Sequence, residues 1–600
     1  MPTSIRWREY SLEIGTNRVS KERVRWSARA QKHHAALFGI SGTGKTTLLT
    51  DILRQHTVNG TGYCLIDPHG GLYDAHVEWL ARKGYDKKRT IHIIDPSADQ
   101  WRVGFNPLVS ETGDLREISD NIDYVLEGFS QAWGGENINA MPLYQRLLSA
   151  VLFAASVKGL TLLEAMNLLP VSRSDYREYV ASDLPDHIQE DAWEDIKQFN
   201  DRDFQDRFGS AFSRIYKFMK SYYIREMMGQ NDEVIDFYRC MEEGDIVLIN
   251  LASRKGFTPA TAQTLGKLLI NNMVASSLRR EVDVSRPFHL IVDEAESYLS
   301  GDVPSLLRQC RKYGLHLTLS VQDLGQLIEK GESIYRGVMG GCQTKFVFGA
   351  GAEDAEVLSK YVMPRGGYNL EEAVPSMVRP TAVGVEKVLV RNRSQNWAHA
   401  EISMHSEGVS DSIGSGSTVT FSGDVLTAMY GDGGAAVGES RSFSDPTESS
   451  AEATTSASSS VDTTGTVDAV GGSEGESETY IPVYENLPTQ NFSIEQQRHR
   501  HTSAIADQDA GYTIAKIMRE DPQPVVTRAP VPYRKHPERV ADFKQRVSIS
   551  SEYTHALKKV NDTIRARFTN LKRLVEQHPY GPVYEHDSTD GEEDEDPFLQ

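Results

Sequence analysis

The sequence predicts an α/β fold with a mainly parallel sheet that is interrupted by an all-helical insertion. Three observations indicate this fold. Short apolar runs, such as residues 62–66 and 90–94, alternate with segments of helical spacing, which is the pattern of a parallel sheet covered by helices. A glycine-rich turn at residues 39–46 joins one apolar run to a helical segment. Between residues 113 and 240 the apolar runs disappear and amphipathic helical patterns replace them.

The length and composition limit the classes of protein to consider. A chain of 600 residues indicates more than one folding unit, because single hydrophobic cores stop growing near roughly 250–300 residues. The four cysteines are too scattered for a Cys-x-x-Cys metal site or a disulfide framework, which favours a reducing cytoplasm. The longest apolar runs, such as residues 148–157, are about half a membrane span, and the amino terminus lacks the apolar core of a signal peptide. We therefore expect a soluble protein without a direct membrane span.

The net charge of −20 belongs to two segments. Residues 401–480 carry a charge of −13 and residues 585–600 carry −8, so the rest of the chain is close to neutral. The first segment is rich in Ser, Gly and Thr, a composition that cannot bury enough apolar surface to become ordered. The acidity therefore does not exclude a nucleic-acid partner for the remainder of the chain.

Residues 39–46, Gly-Ile-Ser-Gly-Thr-Gly-Lys-Thr, follow the apolar run 35–38 and precede a helical stretch. This context predicts a phosphate loop, in which backbone N–H groups and the positive end of the helix bind phosphate. Lys45 is expected to reach the β and γ phosphates of ATP, and the Thr46 hydroxyl is expected to coordinate Mg²⁺. The predicted nucleotide-binding residues are Gly39, Ser41, Gly42, Thr43, Gly44, Lys45, Thr46 and Thr47.

A later apolar run, residues 288–292, ends in two carboxylates, Asp293 and Glu294. This is the pattern called Walker B. Asp293 is predicted to hold Mg²⁺ opposite Thr46, and Glu294 is predicted to orient and deprotonate the attacking water. Because the acid pair occurs together with a phosphate loop, we expect hydrolysis of ATP rather than binding alone.

Two further residues are candidates for the site. Gln322 follows the strand-like run 315–320 and is a candidate sensor of the γ-phosphate, with an ordinary turn glutamine as the alternative. Arg311 lies at a basic helix end just before that run. It either favours the helix dipole or reaches the nucleotide of a neighbouring subunit as an arginine finger.

The order of these motifs resembles the HerA/FtsK superfamily. Within it, the chain is most similar to the TraG/TraD-type coupling ATPases of conjugation and type IV secretion, over roughly residues 10–365 and again over 480–528. Typical coupling proteins begin with transmembrane helices, for which the stretch before Gly39 has no room. The motifs are the phosphate loop, Asp-Pro-His-Gly at 67–70, Asp-Glu-Ala at 293–295, Arg-Lys-Tyr-Gly-Leu at 311–315, Ser-Val-Gln at 320–322, Thr-Lys-Phe-Val-Phe at 344–348 and Glu-Asp-Ala at 353–355.

The resemblance implies a RecA-like P-loop NTPase core and a ring, expected to be a hexamer, that moves DNA, expected to be duplex, with ATP and Mg²⁺. It also implies the site roles given above, with Arg311 acting across a subunit boundary. A nuclease, a relaxase or a secretion channel is an implied partner, and the location is cytoplasmic with membrane association through partners. The alternative function is a nucleotide-switched assembly or protein-transport ATPase that does not translocate DNA.

Six regions are expected along the chain. Residues 113–240 are expected to form an inserted all-α domain, with further helices layered on the sheet as the alternative. The helix predicted over residues 553–576 is basic and amphipathic, and it either docks on its own subunit or contacts DNA or a partner. The other regions are the motor at 1–112 and 241–365, a mostly disordered linker at 366–479, a segment packing back on the motor at 480–530, and the basic helix and acidic tail at 531–600.

Overall fold

The computed structural model divides the chain into two compact units. The first unit contains the residues up to 372 and from 492 onwards, and the second contains residues 373–491. The second unit is therefore an insertion in the chain of the first. The structure describes residues 9–96, 98–110, 113–132, 142–168, 173–182, 215–299, 309–362 and 494–578, the backbone of 378–400 and 467–488, and single positions at 184, 193, 196, 202, 209, 213 and 307.

An eleven-stranded sheet forms the centre of the first unit. The strands of the described chain are β1 (Leu12–Asn17), β2 (Arg23–Trp26), β3 (Ala35–Phe38), β4 (Gly62–Asp67), β5 (Ile91–Ile94), β6 (Trp101–Val103), β7 (Ile246–Asn250), β8 (Phe288–Val292), β9 (Leu315–Val321), β10 (Thr344–Val347), β11 (Val378–Ala400), β12 (Val467–Pro488), β13 (Tyr512–Lys516), β14 (Gln523–Thr527) and β15 (Thr554–Ala556). The order in the sheet is β2-β1-β14-β13-β10-β3-β9-β8-β4-β7-β5. The seven strands from β10 to β5 run parallel, which confirms the predicted α/β fold with a mainly parallel sheet.

Helices cover both faces of this sheet. Their bounds are α1 (Ala28–Gln31), α2 (Lys45–Asn59), α3 (Gly71–Lys83), α4 (Leu115–Ala132), α5 (Pro142–Val157), α6 (Leu162–Ala165), α7 (Ser174–Ala181), α8 (Tyr222–Met228), α9 (Phe237–Glu243), α10 (Pro259–Leu278), α11 (Leu324–Lys330), α12 (Glu332–Gly341), α13 (Ala352–Val362), α14 (Ile494–Ala506), α15 (Pro537–Ser550) and α16 (Leu557–Glu576). In the described part of the chain, no helix combines the length and the apolar character needed to cross a membrane.

The apolar side chains form one core on each face. Successive residues of β3 point to opposite faces, so Leu37 joins the core with α2 and α3, whereas Phe38 joins the core with α10. Both side chains are buried. A strand that is covered on both faces needs a continuous apolar run rather than an alternating one, and this is why the run 35–38 is a strand despite its lack of alternation.

The described residues between 113 and 240 are mainly helical and come between β6 and β7 in the chain. Apolar side chains of these helices, such as Phe129 and Leu152, belong to the same core as Phe38 of the sheet. Helix α4 packs against α10, which connects β7 to β8. The helices are thus layered on one face of the sheet, and a separate all-α domain stays a prediction.

Strands from the two ends of the chain extend one side of the sheet. Strands β13 and β14 lie between β10 and β1, so residues 512–527 join the N-terminal strand to the parallel part. Residues 15–17, Gly-Thr-Asn, have the composition of a turn, but Gly15 lies inside β1 and the chain turns only after Asn17. The pairing of β1 with β2 shifts register between Glu13 and Gly15, and glycine often marks such an irregularity in a strand.

The second unit contains a long antiparallel ribbon of β11 and β12. The prediction of disorder is wrong for residues 467–478, which lie in β12. The register places Arg391 opposite Glu476 and Arg393 opposite Glu474. The composition of one segment alone does not reveal this pairing of two distant segments.

The ribbon also changes the expectation for residues 480–530. Residues 480–488 pair with β11 in the second unit, whereas residues 512–527 add strands to the sheet of the first unit. The expected return to the motor therefore begins only after residue 491. Residues 401–466, the most Ser-rich part of the predicted linker, lie outside the described residues.

The last described helix, α16, is the predicted basic amphipathic helix, but it begins at Leu557 because residues 554–556 form β15 instead. It buries Val560, Leu571 and Val575, and the last two belong to the core that also contains Phe38. Arg567 donates hydrogen bonds of 3.1 and 2.7 Å to the two carboxylate oxygens of Glu164 in α6. The helix is thus docked on its own subunit. The preceding helix α15 was missed by the sequence patterns, and the acidic tail at 585–600 lies outside the described residues.

Candidate active site

The predicted phosphate loop lies between β3 and α2, with Gly44 directly before the first residue of the helix. Gly44 has a φ of 115°, a value that L side chains rarely adopt. A Cβ atom at this position would lie 3.1 Å from the backbone nitrogen of Gly511. Glycine is therefore required here both by the backbone conformation and by the close approach of the segment that leads into β13.

The side chain of Lys45 folds back over the loop. Its Nζ donates hydrogen bonds to the carbonyl oxygens of Gly39 and Ile40, the second at 3.1 Å. Burial lowers the pKa of Lys45, although the carboxylates of Asp293 and Glu296 act in the opposite direction. The Lys45 ammonium group can therefore make charge-assisted hydrogen bonds to phosphate oxygens.

A cleft of about 280 Å³ lies in front of the loop. It brings together the phosphate loop, the acid pair and Gln322, which come from three separate parts of the sequence. Gly39 and Thr43 do not line it and instead support the loop: the Thr43 hydroxyl donates to the carbonyl of Ile40 at 2.8 Å. The residues lining the cleft are Ser41, Gly42, Gly44, Lys45, Thr46, Thr47, Asp67, His69, Gly71, Leu72, Asp293, Glu294 and Gln322.

Asp293 follows the end of β8, and its backbone N–H donates to the carbonyl of Ile66 at 3.1 Å. Burial raises the pKa of the Asp293 carboxyl, and the nearby carboxylates of Asp67 and Glu294 act in the same direction. The Thr46 hydroxyl lines the same cleft. A hydroxyl and a carboxylate are the hard oxygen donors that Mg²⁺ prefers, so the residues present fit the predicted metal.

Glu294 adopts a left-handed backbone conformation with φ of 47°, which is uncommon for a residue other than glycine. Its two carboxylate oxygens are held from opposite sides. The side chain of Gln322 donates to Oε1, and Nε2 of His69 lies 2.5 Å from Oε2. Glu294 is therefore fixed within the cleft rather than left to rotate in solvent.

Glu296 is a site residue that the sequence reasoning missed. It is 3% exposed, and its Oε1 accepts a hydrogen bond of 3.3 Å from the backbone N–H of Gln322. Its Oε2 is buried without a hydrogen-bond partner, and burial raises the pKa of Glu296 to about 7. The only sequence signal for Glu296 is its position two residues after Glu294. In the structure it lies in a short 3₁₀ turn.

Asp67, the first residue of the Asp-Pro-His-Gly motif, organises the loop between β4 and α3. Its Oδ1 accepts hydrogen bonds of 2.9 Å from the backbone N–H groups of His69 and Gly70. Its Oδ2 accepts another of 2.8 Å from Tyr73. These three bonds satisfy donors at the start of α3 and fix the position of His69 in the cleft.

Arg311 is not brought to this cleft. It lies in an exposed 3₁₀ turn before β9, whereas Gln322 follows the opposite end of the same strand. Seven strand residues at about 3.3 Å each separate the two ends by roughly 20 Å. Arg311 therefore does not serve the cleft of its own subunit.

The fold and the cleft together define a P-loop nucleotide-binding protein of the NTPase type. Residues 287–364 match the family model described as the TraM recognition site of TraD and TraG. That stretch contains the acid pair, Arg311 and Gln322. The match confirms, for this part of the chain, the resemblance to TraG/TraD-type coupling ATPases that the motifs indicate. No curated protein sequence matches the chain.

Solved structures of low sequence identity resemble this chain. The unbound monoclinic form of the bacterial conjugative coupling protein TrwBΔN70 is 12% identical with a TM-score of 0.46, over 88% of this chain and 92% of that one. The plasmid coupling protein TrwB in complex with ADP and Mg²⁺ is 16% identical with a TM-score of 0.39, over 59% and 78%. VirB4 of Thermoanaerobacter pseudethanolicus is 14% identical with a TM-score of 0.37, over 60% and 88%.

Proposed function

We propose that this chain is an ATP-hydrolysing, ring-forming DNA translocase of the coupling type. The observation that supports the proposal best is the cleft in which the phosphate loop, the acid pair and Gln322 meet. Binding alone needs only the loop, whereas hydrolysis also needs a group that activates water and groups that stabilise the transferring phosphoryl. A second carboxylate after the metal-binding one is the feature that favours hydrolysis.

The proposed ligands are ATP and Mg²⁺, as in the TrwB complexes with an ATP analogue and with ADP and Mg²⁺. Thr46 and Asp293 would hold the metal, which neutralises charge on the phosphates when bound. Lys45 exchanges its hydrogen bonds to the carbonyls of Gly39 and Ile40 for phosphate oxygens. The backbone N–H groups of the loop and the N-terminus of α2 complete the phosphate site.

Glu294 is the proposed general base. A carboxylate oxygen has two lone pairs, so each oxygen of Glu294 can keep its present hydrogen bond and still accept one from water. Gln322 contacts Glu294 through its side chain and lies at the end of the strand beside β8. We assign Gln322 the role of linking the state of the γ-phosphate to the orientation of this base.

The proposed ring rests on Arg311. An exposed arginine far from its own cleft is available to the cleft of a neighbouring copy, and head-to-tail contacts of this kind close into rings. An arginine supplied in trans stabilises charge on the transferring phosphoryl. We propose a hexamer, as the resemblance to the HerA/FtsK superfamily implies.

DNA is the proposed cargo, because the resemblance to the HerA/FtsK superfamily implies a DNA motor and the similar TrwB structure is described as a bacterial conjugative coupling protein. The proposed partners are relaxosome proteins, such as a relaxase and a TraM-like protein. A nuclease and a secretion channel are further proposed partners. The proposed location is the cytoplasm, with membrane association through the channel partner. None of the four free cysteines is exposed, which agrees with a reducing compartment.

The first experiment measures ATP hydrolysis by the purified full-length chain with and without duplex DNA. We expect DNA to stimulate hydrolysis and Glu294→Gln to lower kcat at least a hundredfold while nucleotide still binds. Glu281→Gln, which changes an exposed glutamate, is the matched control and should behave as wild type. If hydrolysis survives Glu294→Gln, the proposed site is wrong.

The second experiment mixes two variants, Arg311→Ala and Glu294→Gln, each inactive alone. At random mixing, about one quarter of the contacts in a closed ring join an intact base on one subunit to an intact arginine on the next, so part of the activity should return. Lys312→Ala, which changes the exposed neighbour of Arg311, is the control. If mixing restores nothing, Arg311 does not act across a subunit boundary.

A third experiment separates a translocase from a nucleotide-switched assembly or transport ATPase. The protein is given ATP and a duplex carrying a third strand, and displacement of that strand is followed over time. Displacement that requires ATP and fails with Glu294→Gln supports movement along DNA. Hydrolysis without displacement, together with nucleotide-dependent capture of a protein partner, supports the switch.

A further inference from the structure

We infer that His69 is a positioning residue for the catalytic base: it holds the Glu294 carboxylate in the orientation needed to activate water. The inference rests on the proposed ATP hydrolysis and deepens it. His69 belongs to the Asp-Pro-His-Gly motif at residues 67–70, which has no role in the proposed hydrolysis as described so far. Its ring Nε2 lies 2.5 Å from Oε2 of Glu294, and both residues line the same cleft.

The topology explains why a residue so distant in sequence reaches the base. Strand β8 lies between β9 and β4 in the sheet. Glu294 follows β8, Gln322 follows β9 and His69 follows β4. In a parallel sheet the carboxyl ends of neighbouring strands meet at one edge, so each flanking strand delivers one group to the base between them.

Each of the two contacts holds a different oxygen of the Glu294 carboxylate. Gln322 donates to Oε1, and His69, with its proton on Nε2, donates to Oε2. A carboxylate with one anchored oxygen can still rotate, whereas a carboxylate anchored at both oxygens has a single orientation. Misplacement of a catalytic group by about 1 Å can lower the rate roughly a hundredfold, so the second anchor has a large potential effect on kcat.

The loop that carries His69 is built to hold it in place. The backbone N–H of His69 donates to Oδ1 of Asp67 at 2.9 Å, and Asp67 also binds Gly70 and Tyr73. The His69 side chain itself is 69% exposed, so it contributes little to the core. A fixed backbone beneath an exposed ring is unexpected for a side chain that serves stability, and it suits one that serves the cleft.

The test compares His69→Ala and His69→Gln with wild type in steady-state ATP hydrolysis. We expect Ala to lower kcat about tenfold to a hundredfold with KM within about twofold, because His69 supports the base and not the phosphate loop. Gln places an N–H donor near the position of Nε2, so it should recover most of kcat. His499→Gln, which changes an exposed histidine of α14, is the control.

Binding of a fluorescent ADP analogue and thermal unfolding are measured on the same variants. We expect both to stay at wild-type values for His69→Ala, since the exposed His69 side chain contributes little to packing. The inference is overturned if His69→Ala keeps the wild-type kcat, if Gln is no better than Ala, or if kcat and ADP binding fall together. Glu294→Gln is assayed in parallel to distinguish the two proposals. If that variant still hydrolyses ATP, the proposed function is refuted, independently of the result for the His69 variants.

Discussion

The backbone N–H of Gly511 donates a hydrogen bond of 2.9 Å to the carbonyl oxygen of Thr43, so a segment near the end of the described chain supports the phosphate loop near its start. On the other side of the loop, the N–H of Ile40 donates to the carbonyl of Gly349 at 2.9 Å. The loop is thus held between the residues that follow β10 and those that precede β13. Its conformation depends on strands that local sequence patterns do not connect to it.

Replacement of Gly44 tests this support. A Cβ atom there would lie 3.1 Å from the nitrogen and 3.2 Å from the Cα of Gly511, and the φ of 115° is strained for alanine. We expect Gly44→Ala to weaken binding of a fluorescent ADP analogue at least tenfold, which corresponds to roughly 1.4 kcal/mol. Gly340→Ala, at a site with open space around the added methyl, should bind as wild type. Unchanged binding by Gly44→Ala would show that the loop tolerates displacement from Gly511.

The raised pKa of Glu296 is expected to make the stability of the fold depend on pH. Burial raises its folded-state pKa to about 7 from an ordinary value of 4.5, so between these values the folded state binds more protons than the unfolded state. Its contribution to stability is therefore present below pH 4.5 and is lost as the pH rises through 7. We expect Glu296→Gln, which cannot ionise, to raise Tm by about 2 °C at pH 8 and to leave it unchanged near pH 4.5. Equal effects at both pH values would contradict this prediction.

Buried histidines with lowered pKa values are expected to make the fold less stable as the pH falls. Burial lowers the pKa of His289 to about 3 and that of His34 to about 4, so the unfolded chain binds more protons than the folded one below pH 6.5. Their contribution is present above pH 6.5 and is lost as the pH falls toward 4, at roughly 1.4 kcal/mol per pH unit for each histidine.

His289→Phe tests this contribution. The His289 ring is tilted against the His56 ring with a centroid distance of 4.1 Å. Its Nδ1 is buried without a hydrogen-bond partner, so a phenyl ring can replace it without loss of a hydrogen bond at that atom. We expect the fall in urea-unfolding free energy between pH 6.5 and 5 to be smaller by roughly 2 kcal/mol. The control is His499→Gln, which should keep the wild-type slope. Identical slopes for the two variants would rule out His289 as a source of acid sensitivity.

The docking of α16 depends on one ion pair that is mostly buried. Arg567 binds both oxygens of Glu164, whose side chain is 3% exposed, so removal of the arginine leaves a buried carboxylate with one partner fewer. We expect Arg567→Ala to lower the free energy of unfolding by roughly 1–3 kcal/mol. Arg565→Ala, at an exposed position of the same helix, should change it by less than about 0.5 kcal/mol. Hydrogen exchange in α16 gives a second readout of the same docking.

Local patterns were enough to predict the parallel part of the fold, and they named several residues that the structure brings to one cleft. The apolar runs at 62–66 and 288–292 are β4 and β8 with small changes of boundary, because strands buried on both faces are recognisable without context. Lys45, Glu294 and Gln322 reach one cleft since each stands directly at a strand end or at the start of a helix.

The parts that were missed depend on pairing between distant segments. Nothing near residues 467–478 shows that this segment pairs with residues 389–400 in a ribbon. Glu296 owes its raised pKa to burial against β9, which its own neighbours in sequence do not supply. Local composition describes one segment in isolation. The pairing of residues 467–478 and the burial of Glu296 depend instead on strands elsewhere in the chain.

The position of β14 has a consequence for synthesis of the chain. In the sheet, β1 has β2 and β14 as its neighbours, and β14 is made about 500 residues later, which takes roughly half a minute to two minutes on the ribosome. Throughout that time the amino-terminal hairpin, which contains Val24 and Trp26, lacks its partner strand β14. A nascent or truncated chain that stops before residue 512 also leaves the edge of β10 open, so we expect early chaperone engagement and aggregation of carboxyl-terminal truncations rather than a smaller working enzyme.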